Sequence, residues 1–267
     1  MHGFLAHDGN HAPKWPFVLN KDSPQARGLV GWWPMMPTNG VELRDLAGRV
    51  GTQSLNGSPA WQSNVLGGQF LSFNGASEWL SFADPSALFD SEATISFWIR
   101  LANATPSGGS QTGICYMEAA AISSSHYPFT DGNAYISTFR TARENAITLS
   151  ASIDRTRWHL FTVTTKPGAG NWRLYQNAEE VRSANPSFSI QAGWLIGRSS
   201  TGDLVFGEIG PIMLYNVYRG PSEIWHSWAP STRWDLYYEL DRRRWYFTAA
   251  GFVPFPSSRY AMTGGMQ

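Results

Sequence analysis

Net charge, paired cysteines and long apolar runs are all missing from this chain of 267 residues. Twenty basic side chains balance twenty acidic ones, so neither nucleic acid nor an anionic membrane is an expected partner. Cys115 is the single cysteine, which leaves no internal disulfide and no thiolate metal cluster. It sits in GICYMEA, a stretch that reads as a strand, where it serves as a small buried hydrophobe rather than a nucleophile. No eighteen consecutive residues are apolar, so no helical membrane span is expected. The start, MHGFLAHDGNHAPKWPF, lacks the charged, apolar and small-residue regions of a signal peptide. Synthesis in the cytoplasm is therefore expected, with export only as part of an assembly. Lysine is scarce as well: Lys14, Lys21 and Lys166 stand against seventeen arginines. Base composition of a GC-rich genome is one explanation; planar, ring-stacking contacts to protein are the other.

Aromatics are abundant. Thirteen Trp, fifteen Phe and ten Tyr exceed what a core of this size needs, and the excess favours extensive interfaces. Seven segments carry most of the pattern: GLVGWWPM, QFLSFNGASEWLSF, ATISFWIR, RWHLFTVTTKPG, WRLYQNAEEV, GWLIGRSS and FGEIGPIMLYNVY. Each alternates β-branched or aromatic residues and is closed by Gly, Asn, Asp, Ser or Pro. Ile95, Phe97 and Ile99 make one apolar face, while Thr94, Ser96 and Arg100 share the other with Trp98, the period of two of a strand. Such strands without long amphipathic helices predict an all-β, two-sheet antiparallel jelly-roll sandwich.

The order of these segments resembles the laminin-G-like or concanavalin-A-like jelly rolls over Gly28 to Trp228: GLVGWWP, a DLAGRVGTQSL loop, FNGASEWLSF, ATISFWIR, RWHLFTVTT, RLYQNAE and FGEIGPIMLYNVYR. The chain departs from that pattern twice. Ala178 follows Asn177 where the turn usually holds Gly. Gly210 and Pro211 follow Ile209 where the closing motif usually reads Gly-x-Ile-Asp, so an acidic group often placed near calcium is missing. The ends resemble flanks of laminin-G-like proteins encoded in tailed-phage and prophage structural regions, namely LNKDSPQARGLVGWWP at the entry and EIWHSWAPSTRWDLYYELDRRRWYF at the exit. That resemblance implies a virion component.

The expected organisation is an arm over 1–27, a jelly roll over 28–230 and an aromatic, Arg-rich tail over 231–267, with the strands of 28–218 folding without either end. Residues 101–113 and 123–133 read as long connections, and KPGAGN and QNAEE as hairpin turns. GPSEIWHSW (220–228) predicts a short helix, with Pro221 in its first turn and Pro230 beyond its end. Residues 231–247 admit a second short helix followed by an extended segment. Phe252, Val253 and Phe255, around Pro254 and Pro256, form an extended apolar strip.

Catalytic patterns are absent. Glycoside hydrolases of this sandwich set carboxylates on one strand so that they share a cleft. Here Glu208 stands alone in FGEIGPI, and Glu42 and Asp45 fall in a loop as solvated groups. His2, His7, His11, His126, His159 and His226 are scattered, with His159 structural. No enzyme activity and no cofactor is expected. Calcium candidates are Asn74 and Glu78 in FNGASEW and Asp131 and Asn133 in DGN, fewer oxygens than the ion takes. Glycan candidates are Trp61, Trp79, Trp172 and Trp194, with packing as the competing role for each.

The leading expectation is a capsid decoration or cement protein on a phage exterior, bound to other virion proteins such as the major capsid protein, and to itself if it oligomerises. Its anchors would be Trp15, Phe17, Trp225, Trp228, Trp234, Arg242, Arg243, Arg244, Trp245, Phe252 and Phe255. The alternative is a carbohydrate- or receptor-binding module of a tail fibre or head fibre, contacting host-surface glycans.

Overall fold

A computed structural model describes residues 13, 17–36, 42–63, 68–81, 86–101, 111–113, 115–116, 128–131, 135–141, 145–147, 157–167, 172–184, 195–196, 206–239, 245–248 and 251–254. For the strands within 111–147, 195–196 and 245–254 the description is of the backbone. The strands begin with β1 Phe17–Leu19, β2 Leu29–Trp33, β3 Glu42–Leu43, β4 Gln53–Asn56, β5 Ala60–Ser63, β6 Gln69–Asn74 and β7 Trp79–Ser81. Next come β8 Ala93–Leu101, β9 Gln111–Gly113, β10 Cys115–Tyr116, β11 Pro128–Asp131, β12 Tyr135–Thr141, β13 Asn145–Ile147 and β14 His159–Thr165. The last are β15 Trp172–Gln176, β16 Glu179–Ala184, β17 Leu195–Ile196, β18 Phe206–Tyr215, β19 Tyr237–Glu239, β20 Trp245–Thr248 and β21 Gly251–Pro254. The α-helix among the described residues is α1, Pro221–Trp228.

One eight-stranded antiparallel sheet runs β16-β15-β14-β8-β18-β6-β5, with β2 also paired to β18. A five-stranded sheet, β10-β17-β7-β4-β3, lies across the main core from it, and β13-β12-β11-β9 form a four-stranded sheet. All seven sequence segments become strands. The two connections are shorter than the sequence suggested, because β9 falls inside 101–113 and β11 begins at Pro128, inside 123–133. Their backbones pair with each other and with β12, so what reads as loop in composition is sheet in hydrogen bonding.

The alternation of β8 is realised on both sides. Ile95, Phe97 and Ile99 join Leu71, Phe73, Phe161, Val163, Ile209, Ile212 and Leu214 in the core shared with Leu43, Leu55 and Leu80 of the smaller sheet. On the opposite face, Thr94 and Thr164 are 2.7 Å apart and Ser96 and Thr162 2.8 Å apart, a buried ladder of cross-strand hydroxyl pairs.

Both departures from the family pattern have a local reason. Ile209 pairs with Ile99 and Ile212 with Phe97, so Gly210 and Pro211 together oppose a single residue of β8, a bulge. The same point is where the other edge of β18 changes partner from β6 to β2, a place that tolerates a residue without N–H. Gly210 leaves room for the indoles there: a Cβ would lie 3.0 Å from Trp98 and 3.4 Å from Trp158, a tight fit. In the β15–β16 turn, Asn177 and Ala178 have φ of 54° and 67°. Ala178 thus holds a left-handed conformation that costs a residue bearing Cβ about 1 kcal/mol or more.

The ends differ most from expectation. β1 pairs with β19, Phe17 opposite Glu239 and Leu19 opposite Tyr237. Phe17 and Leu236 close a second core against the outer face of the large sheet, with Trp32, Leu160, Met213 and Tyr215. Burial there pushes the Tyr215 and Tyr237 phenols up, so both remain neutral. Residues 229–236 form turns rather than a second helix. Residues 17–27 and 229–239 are therefore packed on the sandwich, and a span of 28–218 alone would expose that second core. The strip from Phe252 is extended as far as it is described, pairing as β21 with β20.

Candidate functional site

Helix α1 follows the sequence signals. Pro221 occupies the first turn, and Glu223 accepts from the backbone N–H of Gly220 (3.0 Å), satisfying one orphan donor at the helix start. Glu223 is also paired with Arg27, tying the helix to the chain entry. Burial raises the Glu223 pKa, but the Gly220 and Arg27 hydrogen bonds and the nearby Arg219 charge outweigh it, and the carboxyl is held below its ordinary value. Arg219 is buried beneath this corner. Its guanidinium donates to the carbonyls of Gln25 (3.2 Å) and Glu223 (3.1 Å) and lies 4.4 Å from the Tyr215 ring.

This corner fixes the fate of the expected anchors. Phe17 is 5% exposed and belongs to the second core, edge-on to Tyr237 at 4.8 Å. Trp228 stacks on Trp98 at 5.4 Å, and Trp234 meets Tyr237 edge-on at 5.6 Å. These three hold the chain's own flanks and are not outward anchors, a correction that follows from the β1–β19 pairing. Trp225, by contrast, is 55% exposed. Two further exposed apolar side chains, Val18 (39%) and Tyr238 (49%), are cross-strand partners in the β1–β19 ribbon. Sequence reasoning passed over both, because each belongs to an alternating run whose outward side only the pairing reveals. Trp15, Arg242, Arg243, Arg244 and Phe255 lie outside the described residues, and Trp245 and Phe252 are described by backbone alone.

A second surface is the outer face of the five-stranded sheet. Leu43, Leu55 and Leu80 point into the main core, so alternation turns Glu42, Ser54, Asn56, Trp79 and Ser81 to the other side. Glu42 and Ser54 are exposed, and Asn56, Trp79 and Ser81 are half-buried. The Asn56 amide donates to Ser81 Oγ at 3.0 Å, and Asn56 faces Trp79 across β4 and β7. An indole beside amide and hydroxyl groups has the chemistry of saccharide recognition. Trp61 does not join it, because that ring packs against the main core. Trp172 is described by backbone alone, and Trp194 lies outside the described residues.

The remaining candidates are occupied structurally. Both oxygens of Glu208 are bonded by Arg100 across β8 and β18, an ion pair that raises the guanidinium pKa and ties the carboxylate to the neighbouring strand. Asp45 is not solvated: it is 8% exposed and accepts from the backbone N–H of Trp32, Ala47, Val50 and Gly51 at 2.8–3.1 Å. It is the hub of the DLAGRVG loop. Glu78 accepts from the Asn74 N–H (2.7 Å), and Asn74 Oδ1 from Ala76 and Ser77, so these two calcium candidates serve their own loop. Asp131 is described by backbone alone and Asn133 lies outside the described residues; no cluster of three or more acidic, His or Cys side chains suited to a metal occurs among the described residues. His159 is buried and receives the Asn177 amide at 3.0 Å, the structural role expected of it.

The sequence profile of the concanavalin A-like lectin/glucanase superfamily matches residues 74–225, more than half of the chain. The chain belongs to that superfamily. No curated protein matches it. Among solved structures, domain 4 of AbnA, a GH43 extracellular arabinanase from Geobacillus stearothermophilus in complex with arabinotriose, is similar with a TM-score of 0.59 and 17% identity. The likeness covers 74% of this chain and 96% of that domain. A Trypanosoma rangeli sialidase in complex with 2,3-difluoro-KDN has a TM-score of 0.59 and 16% identity, over 85% of this chain and 36% of the sialidase. The receptor binding domain of botulinum neurotoxin C/D mosaic serotype reaches 0.54 and 14%, over 75% of this chain and 51% of that one. The family match and these structures agree on the jelly-roll fold. The match begins at β6 and ends in α1, so Val18 and Tyr238 lie outside it.

Proposed function

We propose that this chain is a non-catalytic attachment module of a tailed-phage particle, a decoration or cement protein on the exterior held to other virion proteins such as the major capsid protein. The observation that carries this reading is the exposure of Trp225, Val18 and Tyr238 on the corner where both flanks fold onto the sandwich. Exposed large apolar side chains on the β1–β19 ribbon and on α1 mark an attachment surface, and the likeness of these flanks to phage structural proteins supplies the setting. The engagement of both Glu208 oxygens by Arg100 supports a binding role over hydrolysis. Quantitative mass spectrometry of purified particles tests the proposal. Tens to hundreds of copies per particle are expected, and absence from intact particles overturns it.

A second reading, adhesion to glycans, is favoured by the face around Trp79. It is compatible with decoration, since that face and the attachment corner lie on different sheets. Glycan-array binding by the full chain that disappears in Trp79→Ala supports it, and binding that survives the substitution removes this face from the account.

A further inference from the structure

Three Asn–Gly dipeptides occur in the chain, Asn39–Gly40, Asn56–Gly57 and Asn74–Gly75, and the first lies outside the described residues. Asparagine is a chemically labile side chain, most of all before glycine, where no Cβ hinders the following backbone nitrogen. The backbone favours glycine at both described steps. Gly57 and Gly75 have φ of 76° and 68°, and a Cβ would lie 2.7 Å from the Ser77 carbonyl oxygen and 2.8 Å from Phe206, respectively. The two asparagines are held differently. The Asn74 Oδ1 accepts from the N–H of Ala76 (2.8 Å) and of Ser77 (3.1 Å), and its Nδ2 donates to Ser77 Oγ (3.3 Å). Asn56, the last residue of β4, is held among the described residues by one bond, from Nδ2 to Ser81 Oγ at 3.0 Å.

We infer that Asn56 is a site of spontaneous deamidation, and that Asn74, although more exposed, is protected by its loop. Ring closure requires the side-chain Cγ to swing onto the next backbone nitrogen, so Asn74 must give up three hydrogen bonds and Asn56 one. The Gly57 nitrogen attacks Asn56 Cγ, and the new N–C bond closes a succinimide. The proton of that nitrogen leaves with the side-chain amide as ammonia. Water then opens the ring at either carbonyl to give aspartate or isoaspartate, and no co-reactant besides water is needed. The product sets a carboxylate, which cannot donate to Ser81, opposite Trp79 across β4 and β7. Isoaspartate also lengthens the backbone by one carbon at the end of β4. Resting on the glycan reading of that face, the conversion weakens saccharide binding as the protein ages; the modification itself needs no glycan.

The test incubates the full chain in warm, mildly alkaline buffer and follows the Asn56 and Asn74 peptides by mass spectrometry, with isoaspartyl methyltransferase labelling as a second readout. In the folded chain Asn56 is expected to convert on the order of tenfold faster than Asn74, the worth of the additional hydrogen bonds. In denaturant the two rates should converge, because glycine follows both. Ser81→Ala should speed conversion at Asn56 and leave Asn74 unchanged, and Asn56→Gln should abolish labelling of the Asn56 peptide. Conversion of Asn74 as fast as Asn56 in the folded chain overturns the inference, as does an Asn56 that stays intact when folded but converts in denaturant. Mass and methyl transfer report the chemistry alone, so failure of the glycan reading would show separately, as saccharide binding that is absent before any conversion.

Discussion

The two faces of the eight-stranded sheet are built from different parts of the chain. The inner face is filled by alternate residues of β2, β6, β8, β14 and β18 against the smaller sheet. The outer face is closed by the two flanks: Phe17 comes from the entry, Leu236 and Trp228 from the exit, and Gln25 bonds across to the carbonyls of His226 and Thr232. The difference teaches that the family pattern specifies the sandwich, whereas the flanks supply a second layer of this chain's own. That layer carries two of the three exposed large hydrophobics found among the described residues, and the third, Trp225, sits at its border.

The comparison breaks first if the inner core is not dominant. Phe97→Ala should cost about 3–5 kcal/mol in chemical denaturation, since the ring is fully buried between the sheets. A cost below that of any outer-face substitution would reverse the ranking. Phe17→Ala is the matching outer probe and should cost about 3 kcal/mol, read as one cooperative transition. An unchanged midpoint, with early hydrogen exchange confined to 17–27 and 229–239, would show the flanks to be a separable layer.

Smaller effects sharpen the picture. Ala178→Gly should stabilise by about 1 kcal/mol, because it relieves a left-handed alanine without removing a packed side chain. A loss of stability would mean that the turn gains more from the methyl group than it spends on strain. Acid should act on the outer layer before the inner core. The folded pKa of Glu223 lies below its unfolded value, so its contribution is fully present above the ordinary value of 4.5 and is lost as pH falls through the lower, folded one. Helix α1 should loosen as the pH falls below 4.5, measured by Trp fluorescence, and Glu223→Gln should abolish that pH dependence; a midpoint unmoved in the variant would place the acid sensitivity elsewhere.

Much of the fold was legible because a half-buried strand writes its burial into a period of two. Ile95, Phe97 and Ile99 could be assigned to one face from sequence alone, and α1 was marked by Pro221 and Pro230. The candidate sites were legible only in part. Trp225 is exposed and Trp79 is half-buried on an outer sheet face, but Trp61 packs against the main core and Phe17, Trp228 and Trp234 hold the flanks, and an aromatic ring looks the same in sequence whichever way it faces. Asp45 misled for a similar reason: in a Gly-rich loop a carboxylate reads as solvated, until four backbone N–H groups are found converging on it.

Alternation and turn residues along the chain already marked the strands and the short helix, because these depend on neighbours a few residues apart, and the resemblance to the family added the sandwich and the two departures from its pattern. Only the tertiary structure decided where the flanks go. Phe17 and Tyr237 are 220 positions apart in the numbering, and their meeting is set by the apolar outer face around Trp32 and Tyr215 that needs covering. That pairing decides which aromatics are consumed in holding the flanks and which, Val18, Tyr238 and Trp225, are left outside to meet something else.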